Sequence, residues 1–206
     1  MIQIRSVQHP YDTPEVAASA LSALTRADAM GLIPADDRIE RLDQQTMRRV
    51  TRRIADRGIG KALVLELDSA RTKRASELRR ILRELAAVLE ESPVPDLEWP
   101  RLREVLGLEL LAKLVGVSLP SARRYLAGER TTPDDVAARL HFIALVVGDL
   151  AGTYDELGIR RWFDRPRSAL DGRAPRELLG PGFDPEGEDA KAVARLSRSL
   201  AGAVAT

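Results

Sequence analysis

The sequence predicts a mainly α fold in three parts, and three observations predict it. Apolar residues recur at spacings of three and four, most clearly at Leu78, Ile81, Leu82, Leu85, Val88 and Leu89. That spacing gives a helix one buried stripe. Helix punctuation recurs as well: Pro14 opens and Gly31 closes one stretch, while Ser118 opens and Gly128 closes another. Alternation with a period of two is confined to Ile2, Ile4 and nearly Val7, enough for one short strand or arm.

Composition narrows the function classes. Of 206 residues, 44% are hydrophobic, so a sizeable core can form. There is no cysteine, which excludes disulfides, thiolate catalysis and cysteine-based zinc sites. The longest apolar runs, such as Phe142–Val147, are too short to cross a bilayer. Residues 1–10 lack an apolar signal core, and the expected location is cytoplasmic, without membrane. The net charge is only +1, but it is unevenly spread. Between Arg48 and Arg83 stand twelve Lys and Arg against four acids, a local basic surface able to attract phosphates.

The elements follow in order. Residues 14–30 read as a helix rich in alanine, and residues 35–57 as a second helix ending at Gly58. The segment 62–67 fits a short strand or a piece of helix; length and pattern do not decide. Residues 69–91 carry the leucine stripe. Ser92-Pro93-Val94-Pro95 ends that helix as a linker and is the expected domain boundary. Beyond it come short helices near 99–106, 108–115, 119–127, 133–150, 155–163, 173–179 and 187–201. The expected organisation is a helical N-terminal region over 1–95, a helix-turn-helix domain over 96–152 and a small helical C-terminal module over 153–206. Residues 1–95 carry no motif. They read as an oligomerisation or scaffold region, or as a basic arm adding phosphate contacts.

The most informative stretch is Leu108–Gly128, LELLAKLVGVSLPSARRYLAG. Two helices meeting at a sharp angle need a small residue at their contact, here Ala112, and a residue tolerant of positive φ in the turn, here Gly116. Leu111, Val115, Val117, Ala122 and Tyr125 supply the apolar interface. Ser118 is placed to cap the second helix, and Pro120 falls in its first turn, where no donor is lost. If this unit holds DNA, the second helix enters the major groove and presents Ser118, Leu119, Ser121, Arg123 and Arg124. An arginine there reads guanine by a bidentate contact, and Arg130 and Thr131 hold phosphate. The plain alternative is a helix pair with a solvated arginine face. The next helix starts with Thr132 as its cap and Pro133 at its first position.

Downstream, residues 159–180 read IRRWFDRPRSALDGRAPRELLG. By composition, their aromatics and leucines suit either core packing or a docking surface. The order of the helix-turn-helix, then Trp162-Phe163 with Pro166 and Leu170, then Gly172, Pro175, Leu178 and Leu179, resembles the MbcA/ParS/Xre antitoxin family over about residues 99–204. The resemblance implies an Xre-like helix-turn-helix bundle and a C-terminal toxin-binding module. It implies a cognate RES-domain toxin, an NAD-degrading enzyme, as partner, its active site occluded by the antitoxin. It also implies operator DNA bound for autorepression. On it, Trp162, Phe163, Leu170, Pro175, Leu178 and Leu179 belong to the toxin-binding module, some as its internal core. The last helix, with Val193, Leu196 and Leu200, and Val204 beyond its end, completes the module. The chain departs from the family in its 95 preceding residues and in the Gly- and Pro-rich segment 180–187.

Catalysis is not expected. The two histidines, His9 and His141, stand far apart, and no phosphate loop, nucleophile triad or metal spacing stands out. His141, among apolar neighbours, reads as a buried structural residue. Asp184, Glu186, Glu188 and Asp189 read as a solvated loop, since calcium needs a different order of ligands. No cofactor or metal is expected; a homo-oligomer is, because one small reading head binds DNA weakly. The rival reading is a stand-alone helix-turn-helix transcriptional regulator with a C-terminal dimerisation module.

Overall fold

The computed structural model describes residues 2–68 and 74–202, and the described chain is mainly helical. Its elements run β1 (Ser6–Val7), α1 (Pro14–Ala29), β2 (Arg41–Leu42), α2 (Gln44–Asp56), α3 (Lys61–Asp68), α4 (Ala75–Glu90), α5 (Pro95–Leu106), α6 (Leu108–Val115), α7 (Leu119–Leu126), α8 (Asp134–Leu150), α9 (Glu156–Asp164), α10 (Pro175–Leu178) and α11 (Glu188–Gly202). A 3-10 turn, Ser168–Leu170, precedes α10.

The expected arm is a parallel two-residue pair in which Ser6 lies opposite Arg41 and Val7 opposite Leu42. It takes up residues that the sequence pattern assigned to helix 35–57. The helix starts only at Gln44, because Asp43 is extended and its carboxylate accepts from the Thr46 N–H at 2.8 Å. The ambiguous segment 62–67 is helical, within α3. Of the helix expected over 69–91, residues 69–73 lie outside the described part, and Ala75–Glu90 is helical. The α5 helix begins at Pro95, earlier than expected, with Asp96 and Glu98 in its first turn. Pro100 lies inside it, and its missing N–H falls on the carbonyl of Asp96, near the helix end. Pro133, not Thr132, is the capping position of α8, with no side-chain cap, and the Thr132 hydroxyl accepts from Trp99 Nε1 at 3.0 Å instead.

One apolar cluster runs from Tyr11 to Val193 and draws on both sides of the 92–95 turn. Helix α1 lies between α4 and α8, α11 packs on α8, and α5 reaches α1, α6, α8 and α9. In the α4 stripe Leu78, Ile81, Leu82, Leu85 and Leu89 are buried, and Val88 is half-buried. Helix α1 is nearly surrounded towards its end, and two of its buried side chains are charged. Arg101 of α5 donates to the Asp28 carboxylate at 2.8 Å and to the Asp28 carbonyl at 3.1 Å. Arg26 meets Glu90 of α4 at 2.6 Å and Asp149 of α8 at 3.5 Å, and the Ser197 hydroxyl of α11 donates to the same Asp149 at 2.9 Å. Burial of a charge is costly without such partners. Among the described residues, no helix is long and apolar enough to cross a membrane.

Candidate nucleic-acid interface and C-terminal module

Helices α6 and α7 form two separate helices around a tight turn. Gly116 ends α6 in the left-handed region, φ 75° and ψ 38°. The N–H groups of Gly116 and Val117 both donate to the Ala112 carbonyl, each at 3.0 Å, which satisfies an end the helix cannot satisfy itself. Ser118 is extended and its hydroxyl oxygen accepts from the Ser121 N–H at 3.3 Å. Pro120 sits in the first turn of α7. Leu111, Ala112, Val115, Ala122 and Tyr125 are buried at the interface, with Val117 half-buried.

Arg139 of α8 locks this unit from below. Its Nε donates to the Val115 carbonyl at 2.8 Å, and Asp135 holds its other end at 2.9 Å. The Arg139 hydrogen bond, foremost, holds the Asp135 carboxyl below the usual carboxylate range. A cation at the carboxyl end of α6 also complements its dipole. Nothing in the helical periodicity of α8 singles this arginine out; only an acid four residues before a basic residue hints at it.

The sequence-predicted DNA face is largely outward. Ser118, Arg123, Arg124, Arg130 and Thr131 are exposed, and Ser121 is half-buried. Leu119 is half-buried as well and packs against the core, so it is anchor as much as face. Arg123 meets no acidic side chain among the described residues. Arg124 has only a long 3.5 Å contact to the Pro120 carbonyl. The Arg130 guanidinium lies 5.6 Å from the Tyr125 ring centre, and Tyr125 in turn stacks on Trp99 at 5.7 Å. The aromatic pair therefore positions the loop that follows the second helix.

The C-terminal module is built around the aromatics that the sequence singled out. Trp162 and Phe163 meet edge to face at 5.2 Å, and Arg167 lies over the Trp162 ring at 5.6 Å. Trp162, Phe163, Leu170, Pro175, Leu178 and Leu179 are all buried, which corrects any reading of them as a contact surface. They form the inside of the module. Its exposed residues include Leu157, at 53%, with Arg161, Arg165 and Asp171. In α11, Val193 is buried and Leu196 and Leu200 are half-buried against the core; Val204 lies outside the described residues.

The segment 180–187 is seated, not merely a spacer. Phe183 meets Phe142 of α8 edge-on at 5.4 Å. A Cβ on Gly116 would stand 2.8 Å from both Pro181 Cα and Gly182 N, so the helix-turn-helix turn and this loop touch backbone to backbone. Arg160 of α9 adds a second tie, donating to the Val105 and Glu104 carbonyls at the end of α5, at 2.6 and 3.1 Å. An open groove of about 920 Å³ runs between α6 and the α10 loop, lined by Leu110, Lys113, Val117, Arg176 and Pro181 among others.

His141 is structural in its geometry. Its Nε2 lies 3.0 Å from the Glu90 carbonyl and its Nδ1 2.6 Å from Glu98 Oε1. A carbonyl only accepts, so Nε2 carries a proton. The Glu98–Nδ1 contact then also holds one proton, on the imidazole or on the carboxyl. Burial foremost pushes the Glu98 carboxyl up, against the opposing pull of His141. Glu98, Arg26, Asp28 and Arg101 were missed by sequence reasoning, because a buried charge looks like a surface charge until its partner is known. No group of metal-ligating side chains occurs among the described residues. No protein-family model matches the chain, and neither a curated protein nor a solved structure does so at a significant level.

Proposed function

We propose that the chain is an antitoxin-type regulator that binds operator DNA through α7 and grips a RES-domain toxin through its C-terminal module. The observation that carries the DNA reading is the α6–α7 unit. Its turn is closed by Gly116 and capped by Ser118, its inner face is buried, and Arg123 and Arg124 point to solvent. A helix so held enters a major groove with its outer residues against base edges. Arg123 and Arg124 read bases there, while Arg130 and Thr131 contact phosphate.

The partner reading rests on the resemblance of residues 99–204. The buried aromatics shape the module, and its exposed rim makes the contact. Partner binding covers the toxin's active site and abolishes NAD degradation.

The test of the DNA reading is a gel shift on the chain's own promoter. Arg123→Ala with Arg124→Ala is expected to lose roughly 5- to 150-fold in discrimination against random DNA, the equivalent of one bidentate contact at about 1–3 kcal/mol. Equal shifts for wild type and variant overturn the recognition-helix assignment. The partner reading is tested by co-purification with a RES-domain toxin, comparing wild type with the exposed Leu157→Glu and Arg161→Glu; substitution of the buried Trp162 would read unfolding instead. Retention of the toxin by the double variant removes that rim from the contact.

A further inference from the structure

Helix α2 presents an arginine face that the α6–α7 reading does not use. Met47, Val50, Thr51 and Ile54 turn inward and are buried. The opposite side carries Arg48, Arg49, Arg52 and Arg53, with no acid between Gln44 and Ala55. These arginines line an open groove along the helix together with Gln44 and Gln45. A second groove continues past the start of the helix to Arg5, Arg38 and Arg41. Three of the nearby acids are engaged. Asp37 lies between Arg49, at 3.1 Å, and Arg53; Glu40 lies 3.5 Å from Arg5; Asp43 caps the helix.

We infer that this face binds the phosphate backbone of duplex DNA and extends the footprint of α7; the inference rests on the DNA reading above. Three features favour nucleic acid over an acidic protein. Every cation on the face is arginine, whose planar fork matches phosphate oxygens. The arginine pairs repeat every four residues, about 6 Å along the helix, a distance over which one DNA strand presents about two phosphates at 3.4 Å each. The end of α2 is also tied to α5, the helix that packs against α7. Arg57, just beyond α2, meets Asp96 at 3.0 Å. Asp96 lies about one turn of α5 before Trp99, and Trp99 stacks on Tyr125, which carries Arg130.

Phosphate contacts act on every sequence alike, whereas base contacts discriminate. The experiment compares Arg41→Gln/Arg49→Gln/Arg52→Gln, three exposed positions, with the Arg123/Arg124 variant. Each is titrated with promoter DNA and with a random 30-base-pair duplex between 50 and 200 mM salt, and the far-UV spectrum and melting temperature confirm folding. The triple variant is expected to weaken binding to both duplexes by a similar factor, roughly tenfold or more. Its slope of log affinity against log salt is expected to fall by about 2–3, near 0.9 for each phosphate lost. The Arg123/Arg124 variant instead narrows the gap between the two duplexes. An unchanged slope and affinity in the folded triple variant overturn the α2 inference and leave the α7 reading standing. A lost slope in the triple variant, with the Arg123/Arg124 variant behaving as wild type, supports α2 and removes α7. DNA binding unaffected by the triple variant, with loss of an acidic protein partner, overturns the nucleic-acid assignment of this face.

Discussion

Gly116→Ala is expected to destabilise the protein far more than Gly128→Ala, although both glycines lie in the left-handed region, at φ 75° and 68°. A Cβ in that region costs about 1–2 kcal/mol. At Gly128 nothing lies within 4 Å of the added atom, so the loss ends there. At Gly116 the added atom meets Pro181 Cα and Gly182 N at 2.8 Å. Both are backbone and cannot rotate away, so the loop or the turn must shift, at about 1–3 kcal/mol more. Gly116→Ala is therefore expected to cost about 2–5 kcal/mol, and Gly128→Ala about 1–2 kcal/mol. For a chain of this size each kcal/mol lowers the melting temperature by roughly 2–4 °C. Thermal scans and urea titrations of the two variants read the difference directly, with an unchanged urea slope as the sign that the denatured state is not involved. Equal losses in the two variants would refute the seating of residues 180–182 on the helix-turn-helix turn.

Arg101→Met leaves Asp28 buried and unpaired and is expected to cost about 3–5 kcal/mol, whereas adding Asp28→Leu restores most of it; additive losses in urea titration contradict the pair. Asp149 gives a pH prediction. Burial foremost pushes its carboxyl above the ordinary 3.8, against the opposing pull of Arg26 and Ser197. The folded state therefore holds that proton more tightly than the unfolded chain does, and the contribution is full below 3.8 and lost as pH rises through the raised value. Wild-type stability minus that of Asp149→Asn is expected to fall as pH rises from 3.8, and a value that rises over that range rejects the assignment. Residues 96–206 alone are expected to bind an apolar dye and to unfold without cooperativity, because α8 loses the cover of α1. A sharp calorimetric transition near that of the full chain rules out the shared core.

The helices and the α6–α7 turn were legible because they are local. The Leu78–Leu89 stripe, the Ala112–Gly116 spacing and the Ser118–Pro120 start each depend on residues within one or two turns. Residues 35–43 were misread as helix since their strand partner, Ser6–Val7, lies far back in the chain, and a short pair carries little periodic signal. The buried charges were illegible for the same reason. Arg26 and Asp28 find their partners at Glu90, Asp149 and Arg101, and Arg139 spends its donors on the Val115 carbonyl. A basic residue on a helix predicts solvent until a carbonyl end or carboxylate is placed beside it. The aromatics of residues 159–180 were legible as a unit, but composition could not say whether they face inward.

The same long-range partners explain how the α6–α7 pair is held in a chain whose linker looked like a seam. Alanines on α1 and Gly148 on α8 let two backbones approach: a Cβ at Gly148 would meet Arg26 Cα at 3.0 Å. That approach brings Arg26 and Asp28 into the apolar interior, where an unpaired charge is costly. Their partners then have to come from α4, α5 and α8, which fixes those helices relative to α1. With α5 and α8 fixed, Arg139 can hold the end of α6, and Trp99 can hold both Tyr125 and Thr132. The orientation of α7 is thus the last link of a chain of contacts that begins in the N-terminal half. For the DNA contact proposed for α7 such support matters, because a fixed helix presents its arginines without the entropic cost of ordering them on binding.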